Sequence, residues 1–129
     1  MKIRTILTLV LSIVVLSYAS VISADGVTKR VRFAKGQHSA TVSNSVVRGD
    51  RDTYILGAGE GQTMTVKITS VEDNAVFQIE NPDGEYLEGA GDGDDAMSFS
   101  GELPQKGDYK IIVGGTRGNA SYKLTVSIR

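Results

Sequence analysis

The sequence predicts an all-β fold, an antiparallel β-sandwich of about eight strands preceded by a cleaved signal peptide. Three observations point there. Apolar and polar residues alternate with period two in segment after segment, no amphipathic helical stretch of useful length appears, and turn-forming clusters separate the alternating runs at short intervals. One dry and one wet face on each strand is what an antiparallel sheet packed on a partner sheet requires.

The first segment stands apart. Met1-Lys2-Ile3-Arg4 is basic, Ile6 to Leu16 is an almost unbroken apolar run, and small residues follow in Ser17-Tyr18-Ala19-Ser20 and Ser23-Ala24. That order is the signature of a secretory signal peptide, and the apolar run is too short for a bilayer span, which takes roughly 20 residues. Residues 1–24 are therefore expected to be cleaved after Ala24, with Ala19 as a second candidate, leaving one domain over 25–129. The whole chain has 14 basic and 15 acidic residues; losing Lys2 and Arg4 leaves 12 and 15, a net charge of −3. About 105 residues can bury a single core without staples.

The strands follow in order. Val31 and Phe33 alternate with Arg30 and Arg32, and a second strand is expected over Ser39–Val47. Asp52–Ala58 precedes the turn Gly59-Glu60-Gly61. Thr63 to Ser70 puts Met64, Val66 and Ile68 on one face and Thr65, Lys67 and Thr69 on the other. Ala75, Phe77 and Ile79 repeat the pattern before Asn81-Pro82-Asp83-Gly84, where proline and glycine suit a type I turn. Ala96–Glu102 forms the next strand, and Pro104-Gln105-Lys106-Gly107 turns the chain into Tyr109, Ile111 and Val113. The last strand sets Tyr122, Leu124, Val126 and Ile128 inward. Two segments break the rhythm: the glycine-rich acidic loop Tyr86–Asp95 and the loop Gly114–Asn119, with Arg117 as its one cation. Loops of this kind on a rigid scaffold are where binding usually sits.

Composition removes several functions. No cysteine is present, which excludes a disulfide scaffold, a thiolate zinc site, a cysteine nucleophile and a lipid-anchored N-terminal cysteine. A single histidine, His38, argues against a Ser-His-Asp triad or a multi-histidine metal site and reads as a loop or surface residue. A net charge of −1 gives no nucleic-acid footprint, no Gly-rich phosphate loop opens a helix, and no carboxylate pair sits in a recognisable glycosidase motif. The chain reads as a binding protein rather than an enzyme, without a cofactor and without a membrane attachment once the leader is removed. A cysteine-free exported domain fits a bacterial periplasm or exterior.

Charge is unevenly spread. Glu72 to Glu102 holds ten acidic residues and no basic one, whereas Lys29 to Arg51 holds six basic residues and one acid, Asp50. The basic part, with Arg117, reads either as a solvated surface or as a face for an acidic partner. Asp92, Asp94 and Asp95 are weak calcium candidates, since hard cations want several carboxylate oxygens. Twelve positions counted from Asp92 end on Leu103, where an EF-hand needs a bidentate Glu, so an acidic solubilising loop is the competing reading.

Phe33-Ala34-Lys35-Gly36 with Ser39-Ala40, Asp52-Thr53-Tyr54, Gly61-Gln62, Leu103-Pro104, Gly107, Tyr109, Thr116-Arg117 and Tyr122 together resemble the periplasmic inhibitors of goose-type (g-type) lysozyme. The Asp-x-Tyr strand, the Gly-Gln turn, the Leu-Pro-x-x-Gly-x-Tyr turn and the closing Tyr-x-Leu-x-Val strand are also similar to bacterial pre-peptidase C-terminal domains. The first resemblance implies an eight-stranded β-sandwich whose loops enter the enzyme's substrate cleft, with Arg117 at a position where an arginine matters. A guanidinium suits a cleft lined by carboxylates, which it pairs with fixed geometry at every pH. The sequence departs from the family before the Asp-Thr-Tyr strand, where Arg48-Gly49-Asp50-Arg51 replaces a tyrosine-bearing segment, and Arg48 and Arg51 are candidate cationic contacts in its place. The second resemblance implies a stand-alone module binding polysaccharide, cell surface or an exported protein, with Tyr86 as the exposed aromatic platform.

Overall fold

A computed structural model describes residues 26–129; the expected signal peptide and its cleavage site lie outside the described residues. Eight strands appear: β1 (Thr28–Arg30), β2 (Ser39–Val46), β3 (Arg51–Ala58), β4 (Thr63–Ser70), β5 (Ala75–Glu80), β6 (Ser98–Glu102), β7 (Gly107–Gly115) and β8 (Ala120–Ile128). They form two four-stranded sheets, β1-β3-β7-β5 and β2-β8-β4-β6. The core between them holds the inward set that the alternation picks out, including Tyr54, Leu56, Met64, Val66, Ile68, Phe77, Ile79, Tyr109, Ile111, Val113, Leu124 and Val126, each at most 2% exposed.

The first strand differs from the expectation. The strand is Thr28–Arg30, and Val31 and Phe33 follow it as half-buried residues packed against the core. It also pairs with β3 in parallel, so the sandwich is mostly rather than wholly antiparallel. The cause is topological: the chain crosses to the other sheet as β2 and returns as β3, which brings β3 back alongside β1 in the same direction. The sixth strand starts later than Ala96 because the chain changes sheets there. Ala96 O accepts from Phe77 N at 2.9 Å on one sheet, and Met97 O accepts from Ile68 N at 3.0 Å on the other.

The motifs on which the resemblance rests each have a physical task. Asp52 is 1% exposed and joins the sheets: Oδ1 accepts from Val27 N at 3.0 Å, and Oδ2 accepts from the Tyr122 hydroxyl at 2.7 Å and from Asn44 Nδ2 at 3.3 Å. Tyr54 and Tyr122 join hydroxyls and meet ring edge to ring face, their centroids 6.4 Å apart. Burial, and donation to Asp52, push the Tyr122 phenol well above its ordinary value. Gln62 closes the Gly59 turn by accepting from Gly59 N at 2.7 Å. The Tyr109 hydroxyl donates to Gln105 O at 2.6 Å and locks the turn that Pro104 begins.

The acidic segment 81–97 is a strap. It begins with the expected turn, in which Gly84 N donates to Asn81 O at 3.0 Å, and then runs back along β5. Leu87 N donates to Ile79 O and Ile79 N to Ala90 O, both at 2.9 Å, while Leu87 and Ala90 are buried. The strap thereby covers an edge that would otherwise expose unpaired backbone groups.

Candidate functional site

One end of the sandwich gathers the turns that carry the predicted arginines. The β2–β3 turn brings Arg48, Arg51 opens β3, and the β7–β8 loop carries Arg117. Arg51 pairs in register with Gly114 and Ala75 with Gly115, so these segments converge at the same level. Arg48 N donates to Asn119 Oδ1 at 2.7 Å, which ties the first turn to the Arg117 loop. All three arginines are exposed.

The Arg117 loop is held from below by a side chain that the sequence reading passed over. Asn74, in the β4–β5 turn, is 2% exposed. Its Nδ2 donates to Arg117 O at 3.1 Å and to Asn119 O at 3.0 Å, and its own carbonyl accepts from Thr116 N at 2.9 Å. A buried amide with both N–H donors used, beside a backbone carbonyl that also accepts from the loop, fixes that loop where a short turn of small residues alone would sample many shapes. Gly115 allows the fit, since a Cβ there would stand 2.8 Å from Gly118 O. The Arg117 guanidinium itself lies back on the next turn, where Nη2 donates to Glu72 O at 2.7 Å. A neutral carbonyl leaves its charge uncancelled.

Beside this end a shallow cleft of about 300 Å³ opens on the outer face of the first sheet, floored by Ile112, Val76 and Gly114. Arg51 Nη1 donates to Gln78 Oε1 at 3.0 Å, and Gln78 Nε2 donates to Asp92 Oδ1 at 3.1 Å across it. Two apolar residues complete the surface: Val71, 96% exposed in the β4–β5 turn, and Val47, 57% exposed in the β2–β3 turn. Both sit at strand ends where the alternation stops, and an apolar residue inside a turn is the one sequence signal that could have marked them.

The calcium candidates are placed separately. Asp92 accepts from Gln78, Asp94 Oδ2 accepts from Gly91 N at 2.8 Å within its own turn, and Asp95 adopts a left-handed backbone, φ 46°. Among the described residues no group of three or more Asp, Glu or His side chains is arranged to hold a metal. Tyr86 is 44% exposed as expected, but its bridge to Glu80 sets it at the far end of β5 from the arginines. His38 is exposed.

Comparison with solved structures gives the family. PliG from Aeromonas hydrophila, a periplasmic inhibitor of g-type lysozyme, is 37% identical over 81% of this chain and 97% of its own, with a TM-score of 0.70. The chain belongs to this family. The Escherichia coli inhibitor of g-type lysozyme, solved as a mutant, is 26% identical over 81% of this chain and 99% of its own, at a TM-score of 0.63. The pre-peptidase C-terminal domain of a Bacillus anthracis collagenase shares the fold at 16% identity and a TM-score of 0.59, over 79% of this chain and 94% of its own. No family model matches the chain, and no curated protein matches it at a significant level. Family membership agrees with the periplasmic or secreted location that the N-terminal segment predicts, and among the described residues no helix is long and apolar enough to cross a membrane.

Proposed function

We propose that this protein inhibits g-type lysozyme by inserting the arginine-bearing end of the sandwich into the enzyme's substrate cleft. The observation that carries the reading is the preformed Arg117 loop, clamped by buried Asn74 and offering a guanidinium that, among the described residues, is bonded only to the neutral Glu72 carbonyl. A preorganised loop loses little entropy on binding, and its charge remains free for a carboxylate in the cleft. Arg48 and Arg51 flank it, while Val71 and Val47 supply the apolar contact where the family's tyrosines are missing. Tyr86, the aromatic platform of the glycan reading, stands at the opposite end of β5 from this face.

The test is lysis of bacterial cell wall by g-type lysozyme titrated with residues 25–129, with chicken-type lysozyme in parallel. Stoichiometric loss of g-type activity alone is expected. Arg117→Ala should weaken inhibition by about 2 kcal/mol or more, as loss of a central anchor does, with an unchanged unfolding transition. An inhibition constant that does not move in that variant removes Arg117 from the interface. Full lysis at micromolar protein removes the function itself.

A further inference from the structure

Three of the four sheet edges are guarded. β5 is strapped by residues 86–96, β1 is three residues long and carries Lys29 and Arg30, and β6 is five residues long and includes Gly101 and Glu102. The fourth edge, β2, has no guard among the described residues. It runs for eight residues, Ser39-Ala40-Thr41-Val42-Ser43-Asn44-Ser45-Val46, without a charge, a proline or a bulge. Exported proteins ordinarily blunt such an edge.

We propose that β2 is a self-association edge, on which a second copy of this chain pairs antiparallel about a two-fold axis at Val42. Ile128 N donates to His38 O at 2.9 Å, so in the alternating antiparallel ladder the even-numbered residues of β2 face β8. Ser39, Thr41, Ser43 and Ser45 therefore turn their N–H and C=O groups outward. A dyad at Val42 sets Thr41 opposite the copy's Ser43 and Ser39 opposite its Ser45. Every outward group then has a partner, and no charged side chain opposes another on the paired strands. Beside the strand, a groove lined by Val27, Val42 and Tyr54 opens between the two sheets. Val27 is 43% exposed there, and Val42 of the second copy would shield it.

Pairing of this kind is isologous and closes after two copies. Because the strands run in opposite directions, it leaves the two arginine-bearing ends pointing away from each other. The inference does not rest on the inhibitor reading.

Lys29 also lines the groove, so the experiment is run at physiological ionic strength, where exposed charges are screened beyond about 8 Å. Sedimentation equilibrium of residues 25–129, which contain the whole sandwich, should give twice the chain mass as concentration rises through the micromolar range. Thr41→Glu with Ser43→Glu puts like charges opposite each other twice and should weaken the dimer roughly tenfold or more. Thr41→Lys with Ser43→Glu puts opposite charges there, with Glu facing Lys123 and Lys facing Thr125 on β8, and should retain the dimer, which controls for tolerance of substitution at the same two exposed positions. A chain that stays monomeric throughout, or a dimer indifferent to which charge pair is present, overturns the proposal. Lysis assays on the three proteins separate this outcome from failure of the inhibitor reading.

Discussion

Replacing Asp52 with alanine removes the acceptor that ties the N-terminal segment, β2 and β8 to β3. Three donors lose their partner: the Tyr122 hydroxyl at 2.7 Å, Val27 N at 3.0 Å and Asn44 Nδ2 at 3.3 Å. Their environments decide the magnitude. Tyr122 is 4% exposed and keeps only the Tyr54 hydroxyl as partner, so one O–H of this buried pair is left without an acceptor, at about 1–3 kcal/mol. Val27 N–H adds roughly 1 kcal/mol at its half-shielded site, and the exposed Asn44 finds water at little cost. The sum, about 2–4 kcal/mol, is a large part of the roughly 5–15 kcal/mol that holds a domain together. In urea it should lower the midpoint by roughly 1–2 M for a domain of this size. Asp52→Asn keeps an acceptor for Val27 and presents an amide to Tyr122, whose hydroxyl can turn to donate to Tyr54, so about 1 kcal/mol is expected. The decisive assay is a double-mutant cycle with Tyr122→Phe. Asp52→Ala effects below about 0.5 kcal/mol, or effects of the two substitutions that simply add, would refute the account of Asp52 as the joint between the sheets.

Asn74→Ala should cost about 1–3 kcal/mol in a chemical melt, because two carbonyls of the Arg117 loop lose their donor, and should lower inhibition with it. Gly26→Ala tests the docking of the first strand: Gly26 has φ 92°, and a Cβ would stand 1.9 Å from Arg51 O, so hydrogen exchange at Val31 and Thr53 amides should accelerate while β4–β8 pairing is unaffected. The raised Tyr122 phenol sets an alkaline limit. Its contribution is present in full below the ordinary phenol value near 10 and is lost as pH climbs from there toward the folded value, since the unfolded chain ionises first. Thermal melts of the wild type should therefore fall more steeply above pH 10 than those of Tyr122→Phe.

Strand identity was legible because it is a local property. Thr63–Ser70 coincides with β4 because Met64, Val66 and Ile68 must share one face whatever lies above them, and Asn81-Pro82-Asp83-Gly84 turns because of its own backbone preferences. The proposed contact role of the arginines came from the charge asymmetry and from resemblance, because nothing within Thr116-Arg117-Gly118 itself distinguishes a solvated turn from a contact. The exposure of Val47 and Val71 was not legible: Val47 was expected as the last residue of a strand that ends at Val46, and a single apolar residue in a turn, as at Val71, carries no periodicity.

What the sequence alone determined was therefore the all-β class, the inward-facing set, the turns and the charge asymmetry, all properties of residues within a few positions of one another. The tertiary structure decided what depends on distant partners. It made β1 parallel to β3, buried Asp52 against Tyr122, folded the acidic segment down as a strap, and set Asn74 beneath a loop more than forty residues away. It also turned the charge asymmetry into geometry, with the basic strand β1 at one edge of its sheet and the acidic strap along β5 at the other. Such pairings are chosen by the closing of two sheets over one core, where unpaired polar groups are costly, and no short window of sequence contains both partners.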